Sequence, residues 1–288
     1  MKFTKMHGLG NDFIIIDGIE NDLSKVDLPA AASKLCDRNF GIGADGLIIL
    51  ESSKLAEARM RILNSDGSEP EMCGNGIRCF ARYLFEKNGG KKDIFSVETL
   101  AGIMVPVIIQ ENGKVKAVEV DMGPPRLLRK EIPMIGDQPD QMVIEELLDI
   151  SRSKIQNPKS KIAITAVSMG NPHCVIFVDD VHKADVKGLG PIIETAAVFP
   201  AKTNVEFIQV IDDKHIIMRV WERGVGETLA CGTGACASAV AGVLTGKTGR
   251  EVDVQLAGGD LLIEWLEEDN HVYMTGAAET VFTGEIDL

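Results

Sequence analysis

Two short segments of this chain are near copies of one another: Met72-Cys73-Gly74-Asn75-Gly76 and Ala230-Cys231-Gly232-Thr233-Gly234. Their cysteines stand 158 residues apart, and other landmarks keep almost the same spacing. Gly10-Asn11-Asp12 ahead of an apolar run matches Gly170-Asn171-Pro172-His173 ahead of another, with the asparagines 160 apart. Residues 40–45, followed by an apolar strand, match residues 199–204 at an offset of 159. Asn64 precedes Cys73 by nine residues, and Glu222 precedes Cys231 by nine. Chance accounts for any one similarity between short apolar strands. It does not account for four landmarks in one order at one spacing, which is the signature of an internal duplication. The chain must therefore fold as two similar halves.

Each half reads as mostly strand. Alternation and β-branched content predict strands at 13–17, 47–51, 59–63, 94–98 and 115–121, then at 162–167, 174–179, 205–211, 216–221, 252–256 and 261–266. A short helix is expected over 27–38, with Pro29 in its first turn. Each half also has one strong helix directly after its cysteine. The first carries the stripe Ile77, Phe80, Ala81, Leu84, Phe85 and stops at Asn88-Gly89-Gly90. The second repeats the stripe with Cys236, Ala239, Val240, Val243 and Leu244 and closes at Gly246. Its other face, with Ala235, Ala237 and Ala241, is also apolar, as in a buried helix. The polar stretch 137–161, with a helix-like segment at 142–151, has no counterpart in the first half and reads as a peripheral addition without chemistry. The expected fold class is α+β. Two pseudo-symmetric halves, 1–122 (joined by 277–288) and 123–276, are linked at Gly123-Pro124-Pro125, and each is a curled, mainly antiparallel sheet around a central helix.

Charge narrows the partners. Thirty basic against 43 acidic side chains give a net charge of −13, which disfavours nucleic acid and anionic membrane and leaves a small molecule as the expected partner. No apolar run is long enough to span a bilayer, and the N-terminal residues turn polar too early for a signal peptide, so a cytoplasmic location is expected. The six cysteines include no CxxC pair, so no structural zinc and no other metal is expected. Cys36, Cys79, Cys174 and Cys236 fall in apolar stretches and read as small buried hydrophobes.

Cys73 and Cys231 read differently. A free thiol titrates at about 8.5, and a helix N-terminus lowers that value, so both are expected to supply thiolate near neutral pH. The collars Gly74 and Gly76, and Gly232 and Gly234, let a ligand carboxylate reach the helix amides. Two such cysteines on opposite sides of one carbon acid would remove a proton from one face and deliver one to the other.

The motifs also resemble the diaminopimelate epimerase family over essentially the whole chain. The resemblance runs through Lys5-Met6-His7-Gly8-Leu9-Gly10-Asn11-Asp12-Phe13, Gly41-Ile42-Gly43-Ala44-Asp45-Gly46, Asn64-Ser65-Asp66-Gly67-Ser68, Cys73-Gly74-Asn75-Gly76-Ile77-Arg78-Cys79, Gly170-Asn171-Pro172-His173, Glu222-Arg223-Gly224 and Ala230 to Cys236. It implies an isomerase that needs no cofactor and epimerises LL- to meso-diaminopimelate, in lysine and peptidoglycan-precursor biosynthesis. It implies Cys73 and Cys231 as the two bases, with His173 and Glu222 tuning their pKa values. It implies Asn11, Asn64, Asn171, Asn204, Glu222 and Arg223 as substrate contacts, and Gly74, Asn75, Gly232 and Thr233 as the amides that hold the α-carboxylate. Some members carry glutamine where this chain has Gly46, so only a backbone contact is expected there. Phe282 stands where the family has an aromatic residue linked to dimer packing, which implies a homodimer.

Two other readings compete with this one. Proline and hydroxyproline racemases usually have histidine where this chain has Asn75, and they lack the Glu222-Arg223 pair. A thiol–disulfide protein would simply pair Cys73 with Cys231. Without the resemblance, Gly-Asn before a strand is ordinary turn chemistry, and Glu222-Arg223 could be a solvated ion pair. Asp66-Gly67 reads as a turn. His7, His182, His215 and His271 do not cluster and receive no role.

Overall fold

Aliphatic runs become strands, and the glycine-led segments after both motif cysteines become helices, in the computed structural model, which describes residues 1–150 and 161–286. The chain divides into two units: Met1–Asp121 with the segment from Thr275 onward, and Met122–Met274. The first unit holds β1 (Lys2–Gly8), β2 (Asn11–Asp17), α1 (Leu28–Cys36), β3 (Gly46–Glu51), β4 (Ala58–Asn64), α2 (Gly74–Lys87), β5 (Val97–Thr99), β6 (Gly102–Met104), β7 (Val107–Glu111) and β8 (Lys114–Asp121). The second holds β9 (Glu146–Asp149), β10 (Lys161–Ser168), β11 (Pro172–Phe177), α3 (Val186–Glu194), β12 (Asn204–Val210), β13 (His215–Glu222), β14 (Gly226–Thr228), α4 (Gly232–Leu244), β15 (Glu251–Leu256) and β16 (Gly259–Trp265). After β17 (Val272–Gly276), the last strand β18 (Glu279–Glu285) returns to the first unit and pairs with β1.

The two units share one topology. In the first the strand order is β18-β1-β2-β3-β4-β5-β6, and in the second it runs β16-β15-β13-β12-β11-β10-β9 with β14 on β13. Parallel pairs occur where a helix makes the crossover: β2/β3 across α1, β4/β5 across α2, β11/β12 across α3, and β13/β15 across α4. The other registers in these two runs are antiparallel. Helix α2 touches β1, β2, β4, β7, β8 and β18, and α4 touches β10 to β13, β15 and β16. Each sheet therefore curls round its helix. Ile77, Phe80 and Ala81 are fully buried on α2, and burial of Phe80 alone contributes roughly 1.5–3 kcal/mol. Nearly all of α4 is buried, because its Gly, Ala, Ser and Cys side chains let strands close in from several sides.

Strand register sharpens the duplication. Leu47 lies between Ile14 and Leu63, as Val205 lies between Cys174 and Trp221. The offset from β3 to β12 is therefore 158, not the 159 taken from motif alignment, and Gly46 rather than Asp45 stands level with Asn204. Two further expectations change. The second unit has two α-helices rather than the one expected. Helix α3, capped by Asp185, repeats α1, capped by Asp27, 158 residues on. Gly188, Gly190 and Pro191 hid it, and Gly190 is required because a Cβ there would lie 2.5 Å from the Trp221 ring. The segment expected to be helical at 142–151 contains strand β9 instead; residue 151 lies outside the described residues. Leu148 is buried against β10 while Leu147 is 62% exposed, which is the period of a strand. No helix among the described residues is long and apolar enough to cross a membrane.

Candidate active site

Cys73 and Cys231 are the N-cap residues of α2 and α4. Both are extended, at φ −139°, ψ 120° and φ −130°, ψ 108°, and neither side chain caps its helix. Ser, Thr, Asn or Asp usually takes this position and satisfies a first-turn amide. A thiol does so poorly, and the amides of Gly74-Asn75 and Gly232-Thr233 remain at a helix end that favours an anion. Gly76 and Gly234 sit under the sulfurs. A Cβ at Gly76 would lie 3.3 Å from Ile48 Cδ1 and 3.4 Å from Cys73 Cβ, and one at Gly234 would lie 2.9 Å from Glu206 Oε1 and 3.2 Å from Cys231 Sγ.

In the first unit the Asn11 side chain organises the surroundings of Cys73. Its Oδ1 accepts from Asn75 Nδ2 at 3.0 Å and faces Cys73 Sγ at 3.8 Å, while its Nδ2 donates to Asp45 at 2.7 Å. Asp45 is tied to Arg38 at 2.8 Å, Arg38 to Asp12 at 2.7 Å, and Asp12 to Lys5 at 2.7 Å. Burial pushes the Asp12 carboxyl up, but Arg38 and Lys5 outweigh it and bring the pKa down to about 2. Arg78, fully buried, donates to Asn75 Oδ1 at 2.9 Å and to the Gly74 carbonyl at 3.2 Å.

The second unit surrounds Cys231 with acids. His173 and Glu206, both fully buried, meet at 2.7 Å. His173 Nε2 lies 3.0 Å from Asn171 Oδ1, Asn171 Nδ2 donates to Thr233 Oγ1 at 3.2 Å, and Thr233 Oγ1 lies 3.7 Å from Cys231 Sγ. The Glu222 carboxylate accepts from Thr228 Oγ1. Asn204, buried at the start of β12, accepts from the Arg223 backbone amide at 2.9 Å and donates to the Pro172 carbonyl at 3.1 Å. Arg223 is exposed, and its guanidinium donates to the Ala201 carbonyl at 3.0 Å. Glu194 anchors the turn by accepting from Trp221 Nε1 at 2.8 Å and Gly224 N at 3.0 Å.

One electrostatic expectation is corrected. The helix end was expected to lower both thiol pKa values, but Cys231 is pushed well above its ordinary value. Burial is the largest cause, followed by the Glu222 and Glu206 carboxylates, against which Thr233 and the Gly234 amide work. Glu222 is itself pushed up by burial. Cys36, Cys79, Cys174 and Cys236 are buried and outside any disulfide, and burial raises Cys36 to about 11 and Cys79 to about 12.

Asn64, exposed at the end of β4, donates to Ser68 Oγ at 2.9 Å. Gly46 is opposite Asn64, and a Cβ there would lie 2.9 Å from the Leu63 carbonyl oxygen, so this backbone carries no side chain without shifting. Phe282, 47% exposed on the outermost strand β18, packs edge-on against Phe3. Sequence reasoning missed Asp45, Arg78 and Glu206. For Glu206 a signal existed: a lone acid in the apolar run Val205-Glu206-Phe207-Ile208.

Comparison with known proteins places this architecture. The family model for diaminopimelate epimerase matches residues 3–128 and 165–281. The chain is 56% identical over 285 residues to the diaminopimelate epimerase of Pelotomaculum thermopropionicum, covering 99% of this chain and 98% of that protein. It is 54% identical to that of Moorella thermoacetica and 51% identical to that of Methanococcus maripaludis, each covered end to end. Among solved structures, a Bacillus anthracis phenazine biosynthesis protein of the PhzF family matches with a TM-score of 0.68 at 18% identity, over 100% of this chain and 99% of that one. A probable proline racemase from Agrobacterium radiobacter matches with a TM-score of 0.68 at 16% identity, over 100% and 93%. Those two share the fold. On the family match and the full-length relatives, the chain belongs to the diaminopimelate epimerase family.

Proposed function

We propose that this epimerase interconverts LL- and meso-2,6-diaminopimelate without a cofactor, through two-base proton transfer at Cα between Cys73 and Cys231. The observation that carries the reading is the pair of cysteines at equivalent N-cap positions, each beside helix amides that its own side chain leaves uncapped. The α-proton of an amino acid is a very weak acid, so the base must work beside fixed dipoles that hold the carboxylate and take up the developing charge. Gly74-Asn75 and Gly232-Thr233 supply those amides. Asn11, Asn64, Asn171 and Asn204 hold the polar groups of the substrate, with Gly46 offering backbone only. Arg223 suits the distal carboxylate and Glu222 the distal ammonium.

One base comes from each half, 1–122 with 277–288 and 123–276, and turnover requires both to reach opposite faces of one α-carbon. The Cys73 thiolate takes the α-proton while the Cys231 thiol gives its proton to the other face. The two sulfurs end with their protonation states exchanged, and the reverse reaction restores them. Glu222 and Glu206 favour Cys231 as the resting acid, with His173 behind them. The product serves lysine and peptidoglycan-precursor biosynthesis. The working form is a cytoplasmic homodimer with Phe282 in its contact.

Reduced protein in heavy water, given LL-diaminopimelate or L-proline, tests the assignment by deuterium at Cα. Exchange is expected with the diaminopimelate. Exchange with proline alone overturns the substrate, and exchange with neither favours a thiol–disulfide role.

A further inference from the structure

Behind Cys231 stands a carboxylate with no counterpart in the first half. Glu206 is fully buried, and its Oε1 lies 2.7 Å from His173 Nδ1. Its other oxygen, Oε2, has no hydrogen-bond partner among the described residues. A buried, half-satisfied carboxyl group is costly. At the matching place, under Gly76, the first half packs the fully buried Ile48. Isoleucine fills that space without cost, so the carboxyl group serves through its charge or its proton.

The neighbouring bonds show where that charge acts. Asn171 Nδ2 is committed to Thr233 Oγ1, so the Asn171 carbonyl oxygen faces His173 Nε2 and accepts from it. Nε2 therefore carries a proton. The Thr233 oxygen, already accepting from Asn171, turns its own hydrogen toward Cys231 Sγ, 3.7 Å away. Every link donates toward the sulfur. With Nε2 donating to Asn171 and the Glu206 carboxylate accepting from Nδ1, both ring nitrogens carry protons, and the charge of Glu206 holds the second one there.

We propose that Glu206 is a positioning residue for proton transfer at Cys231: through His173 it orients Asn171 and Thr233 so that a directed run of donors ends on the Cys231 sulfur. The proposal rests on the reading of Cys231 as one of the two bases. When Cys231 gives up its proton, negative charge grows on a sulfur at which a hydroxyl hydrogen is already aimed. A glutamine in place of Glu206 satisfies either neutral tautomer of His173, because its amide can donate or accept. In the alternative arrangement Nε2 accepts, Asn171 turns over, and the Thr233 hydrogen leaves the sulfur.

The test is Glu206→Gln, read by steady-state kinetics and by long-range 1H–15N correlation of 15N-histidine-labelled enzyme. Wild type is expected to show His173 protonated at both ring nitrogens. The variant is expected to populate both tautomers, with kcat down roughly tenfold or more and KM within roughly threefold. A structural role alone would leave the ring protonation unchanged. Wild-type kcat in a folded Glu206→Gln overturns the proposal, and so does a wild-type His173 without a proton on Nε2. Cys231→Ala, run alongside, separates the two claims. If it keeps turnover, the role of Cys231 falls and the relay with it. If it is dead beside a fully active Glu206→Gln, the relay alone falls.

Discussion

The two cysteine environments share a scaffold and differ in charge. Under Cys73 the strands offer Phe13 and Ile48, both buried and apolar, and helix α2 carries the buried cation Arg78. Under Cys231 the same places on β11 and β12 hold His173 and Glu206, and the position 158 residues after Arg78 is Cys236. The duplicated framework, with its N-cap geometry and glycine under the sulfur, is common to both units. A few buried side chains then set the charge around each thiol, and at Cys231 burial and the Glu222 and Glu206 carboxylates push the pKa well up. In the proposed reaction one thiol gives a proton while the other takes one, a task to which identical thiols would be poorly suited. Divergence at the buried positions supplies the difference without moving either cysteine.

The strongest way to break this comparison is to remove each thiol in turn. Cys73→Ala and Cys231→Ala are each expected to cut epimerisation by on the order of a thousandfold or more, measured with LL-diaminopimelate. Near-wild-type turnover in either variant would end the two-base account. A second variant makes the second unit resemble the first. His173→Phe alone leaves Glu206 buried and unpaired, at a cost of about 3–5 kcal/mol in urea unfolding. The double variant His173→Phe, Glu206→Ile is expected to recover most of that loss while remaining catalytically impaired. Strictly additive losses would show that the pair is not coupled.

A smaller effect lies in the support of Asn11. The Asp12 carboxyl, brought down to about 2, contributes stability that is present above the ordinary carboxylate pKa and is lost as pH falls through about 2. The Tm difference between wild type and Asp12→Asn should therefore narrow as pH falls from about 4 to about 2. A gap constant across that range contradicts the assignment. The smallest effect is expected at Phe282→Ala, about 1 kcal/mol or less from its contact with Phe3. Sedimentation should show the variant shifted toward monomer. An unchanged mass distribution removes Phe282 from the proposed dimer contact.

Much of the framework was legible because it is written in periodic patterns. The stripes after Cys73 and Cys231 read as helices, and both cysteines cap them. The repeat announced two halves of like topology. Features that depend on single contacts were not legible. Helix α3 is poor in helix formers because Trp221 leaves room only for glycine at 190, and local propensity therefore pointed away from it. Glu206 was not legible because the run Val205-Glu206-Phe207-Ile208 does not say which way its one acid points. Register alone shows that it lies level with Ile48, facing in. The raised pKa of Cys231 was missed for the same reason: the helix end was visible in the motif, while burial and the nearby carboxylates were not.

Unequal proton affinity at two geometrically equivalent thiols is the centre of this account. Its most direct measurement is the rate of iodoacetamide labelling of Cys73 and of Cys231 in the reduced enzyme, followed peptide by peptide from about pH 5 to about pH 10. Cys73 is expected to label at neutral pH, with Cys231 reacting only toward the alkaline end. Equal profiles, or Cys231 labelling at lower pH than Cys73, would contradict it.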